Sequence, residues 1–211
     1  MIGIHDLPLF VAAGLILNIT PGPDMAYIAA RSASGGFRDG AAAVLGITTG
    51  CCVHTLAAAA GLSALLATSA TAFEIVKWCG ALYLLYAGIR LLVARGVSAV
   101  APADAAPASR PAQIFREALL INVFNPKVAL FFLAFVPQFI DRDAPAKALA
   151  FVALGALFNF NSLFVNLPVA WLASRTARRA RAAAHATRWL RRATGGLFVI
   201  LAARLAVAAR D

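Results

Sequence analysis

Charge is scarce in this chain, and acidic charge is scarcest. Only nine Asp and Glu occur among 211 residues, and all charged residues together make up 13%. A soluble domain carries roughly a quarter of its residues as charges, so a water-facing coat cannot be assembled from this composition. Hydrophobic residues account for 62%, and the mean hydropathy is +0.80. The chain reads as an all-α integral membrane protein. Cysteine is limited to Cys51, Cys52 and Cys79, all inside apolar runs, where a thiol acts as a small apolar packer. A metal site from Cys51, Cys52 and His54 is disfavoured, because adjacent helical residues point ~100° apart and no second ligand cluster is visible. No metal is expected. There is also no phosphate-binding loop and no nucleophile paired with a base, so neither ATP hydrolysis nor catalysis has support, and no cofactor is expected. Met1 to Asp6 lacks basic residues and the first apolar run is full length, which argues against a cleavable signal.

What the chain has instead is six apolar stretches, at about 7–30, 41–67, 72–94, 114–137, 147–173 and 193–209. Each is close to the ~20 residues that a spanning helix needs. The last is the weakest, being short and carrying Arg204. The net charge of +10 is informative through its placement. Thirteen basic residues fall in or beside the odd-numbered loops, including Arg31, Arg38, Arg110 and the run from Arg175 to Arg192; five fall on the other side. The positive-inside rule then places the odd loops in the cytoplasm and both termini in the periplasm. The segment Arg175 to Arg192 is expected to lie on the membrane surface against anionic lipid headgroups. Because its arginines abut two spans, nucleic acid is not an expected partner.

The first span is interrupted near its middle by Asn18-Ile19-Thr20-Pro21-Gly22-Pro23-Asp24. Pro21 and Pro23 supply no N–H, and their rings displace the carbonyls of Leu17 and Ile19 from their helical bonds. Gly22 lets the chain turn where a Cβ would clash. In hydrocarbon, freed backbone groups are tolerated only when buried in protein or lining a wet cavity. An ionisable Asp24 just beyond the break favours the cavity.

Residues 96–113 form an Ala/Pro-rich linker that divides the chain into repeats at 1–95 and 114–211. Sliding the sequence by 105 places Phe10 on Phe115, Leu15 on Leu120, Pro21 on Pro126 and Gly50 on Gly155. Sliding by 115 places Gly80-Ala81-Leu82 on Gly195-Gly196-Leu197. Chance similarity among Leu/Ala-rich helices explains any one match, but three in the same order indicate a repeat. With three spans per half, the second half enters the membrane the other way up, which is the inverted repeat of many secondary transporters. The expected architecture is six helices in two inverted three-helix repeats, with helices 1 and 4 broken. The second break is Asn122-Val123-Phe124-Asn125-Pro126-Lys127.

Gly46 and Gly50 present a small-residue face for close helix packing. His54, one turn beyond Gly50, is read first as a hydrogen-bonded structural histidine and second as part of a proton path. Asn159, Asn161 and Asn166 need partners within hydrocarbon, either between helices or along a polar route.

The two breaks, Gly46 with Gly50, Gly80-Ala81-Leu82-Tyr83-Leu84-Leu85, and Phe131-Phe132-Leu133 to Phe135-Val136-Pro137-Gln138-Phe139 together resemble the LysE/RhtB family of bacterial amino-acid exporters. The resemblance covers essentially the whole chain. It implies an inner-membrane protein that exports amino acids such as lysine, arginine, homoserine, threonine or leucine, driven by the proton motive force.

An amino acid at neutral pH presents an ammonium and a carboxylate, and each needs a partner in the membrane. Helix starts beyond each proline, with Lys127, suit the carboxylate. The freed carbonyls, Asp24, Asn18 and Asn125 suit the ammonium or a coupled proton. The candidate binding residues are therefore Asn18, Thr20, Pro21, Gly22, Pro23, Asp24, His54, Asn125, Pro126 and Lys127. The structural alternative is that Asp24 and Lys127 simply pair with each other. Only one acidic residue lies at the predicted midplane, which favours a neutral substrate slightly over a cationic one. A channel or carrier for another small solute, a membrane scaffold and an intramembrane enzyme are the alternatives; a homo-oligomer is compatible with all of them.

Overall fold

The structure, a computed structural model, describes residues 3–62, 110–141 and 143–176, with isolated positions between 71 and 93 and between 196 and 203. Apart from those isolated positions, the expected third and sixth spans lie outside the described residues, as do 96–109 of the expected 96–113 linker and nearly all of the Arg175 to Arg192 segment; residues 111–113 belong to a helix. Within them the protein is helical: α1 is Leu7–Ile19, α2 is Pro23–Ala57, α3 is Pro111–Val123, α4 is Pro126–Leu130 and α5 is Lys147–Thr176. Short π turns extend α2 over Ala58–Leu62 and α4 over Phe131–Phe135, and a 3₁₀ turn closes the latter at Val136–Phe139. Both expected breaks are present. The first separates α1 from α2 at residues 20–22; the second separates α3 from α4, which bend against each other by 48°.

Two helical stretches, Pro23–Gly61 and Lys147–Arg175, are long and apolar enough to cross a membrane, and the bent α3–α4 pair makes a third. The first of these is not a straight rod. Gly36, at φ 79° and ψ −174°, takes a conformation that a Cβ would strain, and α2 turns there. A straight helix would hold Asp24 and Cys51 ~40 Å apart at 1.5 Å per residue, yet both line one small cavity. The arm before Gly36 therefore folds back on the arm after it. At the start of the turn, a Cβ on Gly40 would come within 2.9 Å of the Ser32 Cβ. The first crossing is consequently α1, a break and the first arm of α2; the second crossing is the other arm.

Backbone pairing places the ends. His5 N–H donates to the Phe139 carbonyl at 3.1 Å and Asp141 N–H to the Gly3 carbonyl at 2.8 Å, so the N-terminal segment and the 141–146 loop share one face. Gly40 lies against Ala170, which puts the α2 turn and the end of α5 on the other. Along the second arm of α2, Gly46 meets the Phe115 carbonyl, Gly50 meets Asn122, and His54 reaches both the Asn122 carbonyl and the Phe132 ring. The second arm and α3 thus run in parallel. Because α1 starts on the opposite face, the two broken crossings run in opposite directions.

Two apolar clusters flank the breaks. Toward the N-terminal face, Phe10, Phe131, Phe132, Phe135, Phe139 and Phe158 pack ring on ring, with centroids 4.6 to 5.9 Å apart in the closest pairs. Toward the other face, Ile28, Val44, Ile47, Ile114 and Ala118 form the second. In a membrane such contact is not driven by exclusion of water, so close fit does the work and small residues set how near the backbones come. Gly46 makes the closest approach to another helix's backbone, since a Cβ there would overlap the Phe115 carbonyl of α3. Gly46→Leu is therefore expected to force α2 and α3 apart, costing more than the ~1–3 kcal/mol typical of overpacking. Monodisperse protein recovered in detergent should fall sharply relative to wild type, and an unchanged yield would contradict the packing.

Candidate functional site

In each break a carbonyl that proline deprives of its helical donor, Leu17 in one and Asn122 in the other, keeps a bond from a nearby backbone N–H and is also met by a side chain from another part of the chain. Pro21 cannot donate to Leu17, so the Leu17 carbonyl accepts from the Lys127 ammonium at 3.2 Å and from Thr20 N–H at 3.2 Å. The same Lys127 Nζ donates to the Thr20 carbonyl at 3.3 Å. Pro126 cannot donate to Asn122, and the Asn122 carbonyl meets His54 Nε2 at 3.1 Å. For that contact to be a hydrogen bond the Nε2 must carry the proton. Gly22 makes room for the lysine: a Cβ there would lie 3.3 Å from Lys127 Nζ.

The side chains of the breaks divide into those that shape the backbone and those that face a cavity. Thr20 Oγ1 donates back to the Ile16 carbonyl at 2.6 Å, closing the end of α1. Asn125 caps α4, its Oδ1 accepting from Lys127 N–H at 3.0 Å, and Pro126 occupies the first helical position, where its missing N–H is not needed. Pro23 does the same for α2. By contrast Asn18, Asp24, Asn122 and Lys127 line a shared cavity with Cys51, Ser162 and Asn166. Its volume is about 10 Å³, the room of about one water.

Asp24 is 8% exposed and Asn122 fully buried. Asn122 Nδ2 donates to Asp24 Oδ2 at 3.0 Å, joining the two breaks. Asp24 Oδ1, Asn122 Oδ1 and Asn18 Nδ2 are buried with no hydrogen-bond partner. Leaving such atoms unpaired costs about 1–3 kcal/mol each. These unpaired donors and acceptors gather around one cavity.

The direct pairing of Asp24 with Lys127 is not what the structure holds. The lysine donates to two backbone carbonyls and the aspartate accepts from an amide. The Leu17 carbonyl, read from sequence as free for a ligand, is already occupied. The physical reason is local: the prolines strand the carbonyls next to the lysine, and a cation satisfies two at once. His54 does not line the cavity but stacks on Phe132 at 5.9 Å and braces the second break. Asn159 donates to Cys52 Sγ at 3.4 Å, and Asn161 lies 4.0 Å from where a Gly14 Cβ would be.

Sequence reasoning missed the Asn122 side chain, Cys51 and Ser162. A usable signal existed for Asn122, which sits where a second-arm Gly50 leaves space: a Cβ there would be 2.6 Å from Asn122 Oδ1. Pro168 lies inside the continuous helix α5, two residues past Asn166, and has no N–H to donate to the Phe164 carbonyl.

Among the described residues, two groups of contacts stand on either side of the cavity. On the side of the α2 turn, Glu117 Oε2 accepts from Tyr27 Oη and from Arg31 Nη2, each at 2.6 Å, and Arg31 Nε donates to Tyr27 Oη at 3.0 Å. Gln113 adds a bond to Glu117 Oε1 at 2.9 Å. On the other side stands the phenylalanine cluster, with the N-terminal segment strapped across it.

Similarity to known proteins agrees with this geometry. A family model described as LysE type translocator matches residues 15–209. The homoserine/homoserine lactone efflux protein of Salmonella typhi is 32% identical over 94% of this chain and 95% of the relative. Its counterpart in Salmonella typhimurium is 31% identical over the same shares. An uncharacterized membrane protein of Pseudomonas aeruginosa is 32% identical over 98% of this chain and 97% of the relative. No solved structure matches. A match of the family model along nearly the whole length, with relatives this similar end to end, means that the chain belongs to the LysE type translocator family.

Proposed function

We propose that this protein is a secondary exporter of amino acids in the bacterial inner membrane, coupled to proton entry. The observation that carries the reading is the meeting of two oppositely directed broken helices around one buried polar cavity that holds an aspartate and a lysine. The proposed framework is six spans in two inverted three-helix repeats, with both termini periplasmic. The efflux names of the Salmonella relatives support the direction and the class of solute.

The residues suggest a division of labour. Asp24 Oδ1 and Asn122 Oδ1 offer acceptors to an ammonium. Asn18 Nδ2 and the third N–H of Lys127, beyond the two used on carbonyls, offer donors to a carboxylate. Thr20, Pro21, Gly22 and Pro23 in one break, and Asn125 and Pro126 in the other, hold these groups in place, and His54 braces the second. A cavity of about 10 Å³ is too small for an amino acid, against the ~300–1,000 Å³ of ordinary ligand sites. Transport therefore needs one closure to open at a time: the Tyr27–Arg31–Glu117 side toward the cytoplasm to load, the phenylalanine side toward the periplasm to release. A proton arriving down its gradient binds Asp24 once the ammonium has left, and carries the empty site back. The cavity supplies a single carboxylate, which favours a neutral amino acid over one with a second cationic group.

Cells overproducing the protein should tolerate a toxic amino acid or analogue and release it faster than controls, and a protonophore should abolish the difference. Proteoliposomes under an imposed pH gradient that move none of the twenty amino acids nor homoserine would overturn the export reading.

Asp24→Asn keeps the bond from Asn122 in reach but removes the charge and the proton site, so export should fall at least a hundredfold with folded protein at the wild-type level. Lys127→Ala should remove both transport and stability, since two carbonyls lose their donor; unfolding in detergent should shift to lower temperature. Wild-type transport per molecule in either variant would assign these residues to structure alone.

Reporter fusions at Ala105 and after Asp211 should report opposite sides of the membrane, the first cytoplasmic. The same side for both would remove the sixth span from the scheme.

A further inference from the structure

The groups assigned above to the ammonium and the carboxylate come from the two breaks, whereas the cavity has a further polar wall on α5 that neither uses. It consists of Ser162 and Asn166, one helical turn apart, 1% and 5% exposed. Asn166 Nδ2 donates to Ser162 Oγ at 2.9 Å. After that bond the serine still has its O–H to donate, and the Asn166 carbonyl oxygen still has its lone pairs. The surrounding wall is apolar, with Ile47, Val128 and Phe158. Building an alcohol and an amide into an apolar wall is costly unless something pairs with them.

We propose that Ser162 and Asn166 are specificity-determining residues that read a hydroxyl group on the side chain of the transported amino acid. The inference rests on the export reading and extends it. One donor beside one acceptor matches an alcohol, which both donates and accepts. An aliphatic side chain of the same size leaves both groups unpaired. A side-chain ammonium can use only the Asn166 oxygen, and a side-chain carboxylate only the serine O–H, and each would bring an uncompensated charge against Phe158 and Ile47. A site built to hydrogen-bond a substrate hydroxyl rejects the analogue lacking it far better than a greasy pocket distinguishes two hydrocarbons. The length of the side chain that reaches α5 is set by how far the breaks hold the ammonium and carboxylate from this wall.

The test compares homoserine with norvaline, which replaces its hydroxyl by a methyl at nearly equal volume. Initial rates in proteoliposomes under one pH gradient give a homoserine-to-norvaline ratio for wild type, Ser162→Ala, Ser162→Thr and Asn166→Leu. Because the ratio is taken within each variant, loss of folded protein cancels. Wild type should favour homoserine at least tenfold; Ser162→Ala and Asn166→Leu should bring the ratio toward one, mainly by slowing homoserine; Ser162→Thr, which keeps a hydroxyl, should retain the preference. If Asn166→Leu moves neither compound, Ser162→Ala decides, since it deletes a single oxygen. A ratio unchanged in Ser162→Ala, or a wild type indifferent to the hydroxyl while transporting both, would overturn the assignment and leave the export reading standing. A wild type that moves neither compound, nor any of the twenty amino acids, would overturn both.

Discussion

A backbone carbonyl that has lost its helical partner inside a membrane must find another donor, and this requirement governs the arrangement of the chain. In water a stranded carbonyl is solvated at little cost; in hydrocarbon each costs several kcal/mol. Pro21 and Pro126 take the helical donor from the Leu17 and Asn122 carbonyls; Thr20 and Asn125 N–H supply one local bond each, and Lys127 and His54 add contacts from elsewhere in the chain. Lys127 serves the first break from within the second, and His54 serves the second from the second arm of α2. The breaks are therefore locked to one another before any ligand is considered. With the carbonyls satisfied in this way, the side-chain atoms of Asn18, Asp24 and Asn122 are left facing the cavity with capacity to spare. Structural need and binding capacity are met by different atoms at the same place.

The locking depends on how near the backbones approach, which explains the glycines. Gly22 admits the lysine amine, Gly46 admits the α3 backbone and Gly50 admits Asn122. Each is small because something polar or main-chain passes close by. The closures at either end differ in kind. One is a charge-assisted network of Tyr27, Arg31, Gln113 and Glu117, with geometry that either holds or breaks; the other is a stack of rings that can slide with small changes in energy.

Much of this could be read from residues alone, and the division has physical causes. Both breaks were visible because proline has a position-specific steric effect that no tertiary context removes. The expectation that the two broken crossings enter the membrane in opposite directions came from the odd number of apolar runs in each half. The α2 turn was expected as a loop over residues 31–40, but only Gly36 leaves helical geometry, because Gly35 and Gly36 together permit a turn without a longer linker. The site was legible as a set of residues and not as a set of bonds. Asp24 and Lys127 are a natural pair by charge, yet the lysine lies nearer to two stranded carbonyls, and sequence carries no measure of that distance. Ser162 was overlooked since serine in an apolar helix ordinarily bonds its own backbone, and only the folded position of α5 reveals what it faces. The third and sixth spans lie outside the described residues, so the full repeat rests on the pattern of the chain.

The reach of Lys127 across the molecule also bears on how the protein is made. Its bond to Leu17 joins residues 110 apart in sequence. Synthesis at ~5–20 residues per second means that the first break waits for its donor for about 5 to 20 s after Leu17 leaves the ribosome. During that interval the Leu17 carbonyl keeps its local bond from Thr20 N–H while the lysine that completes the first break has yet to be made. The first break is therefore completed only by a residue of the second, long after its own residues have been synthesised.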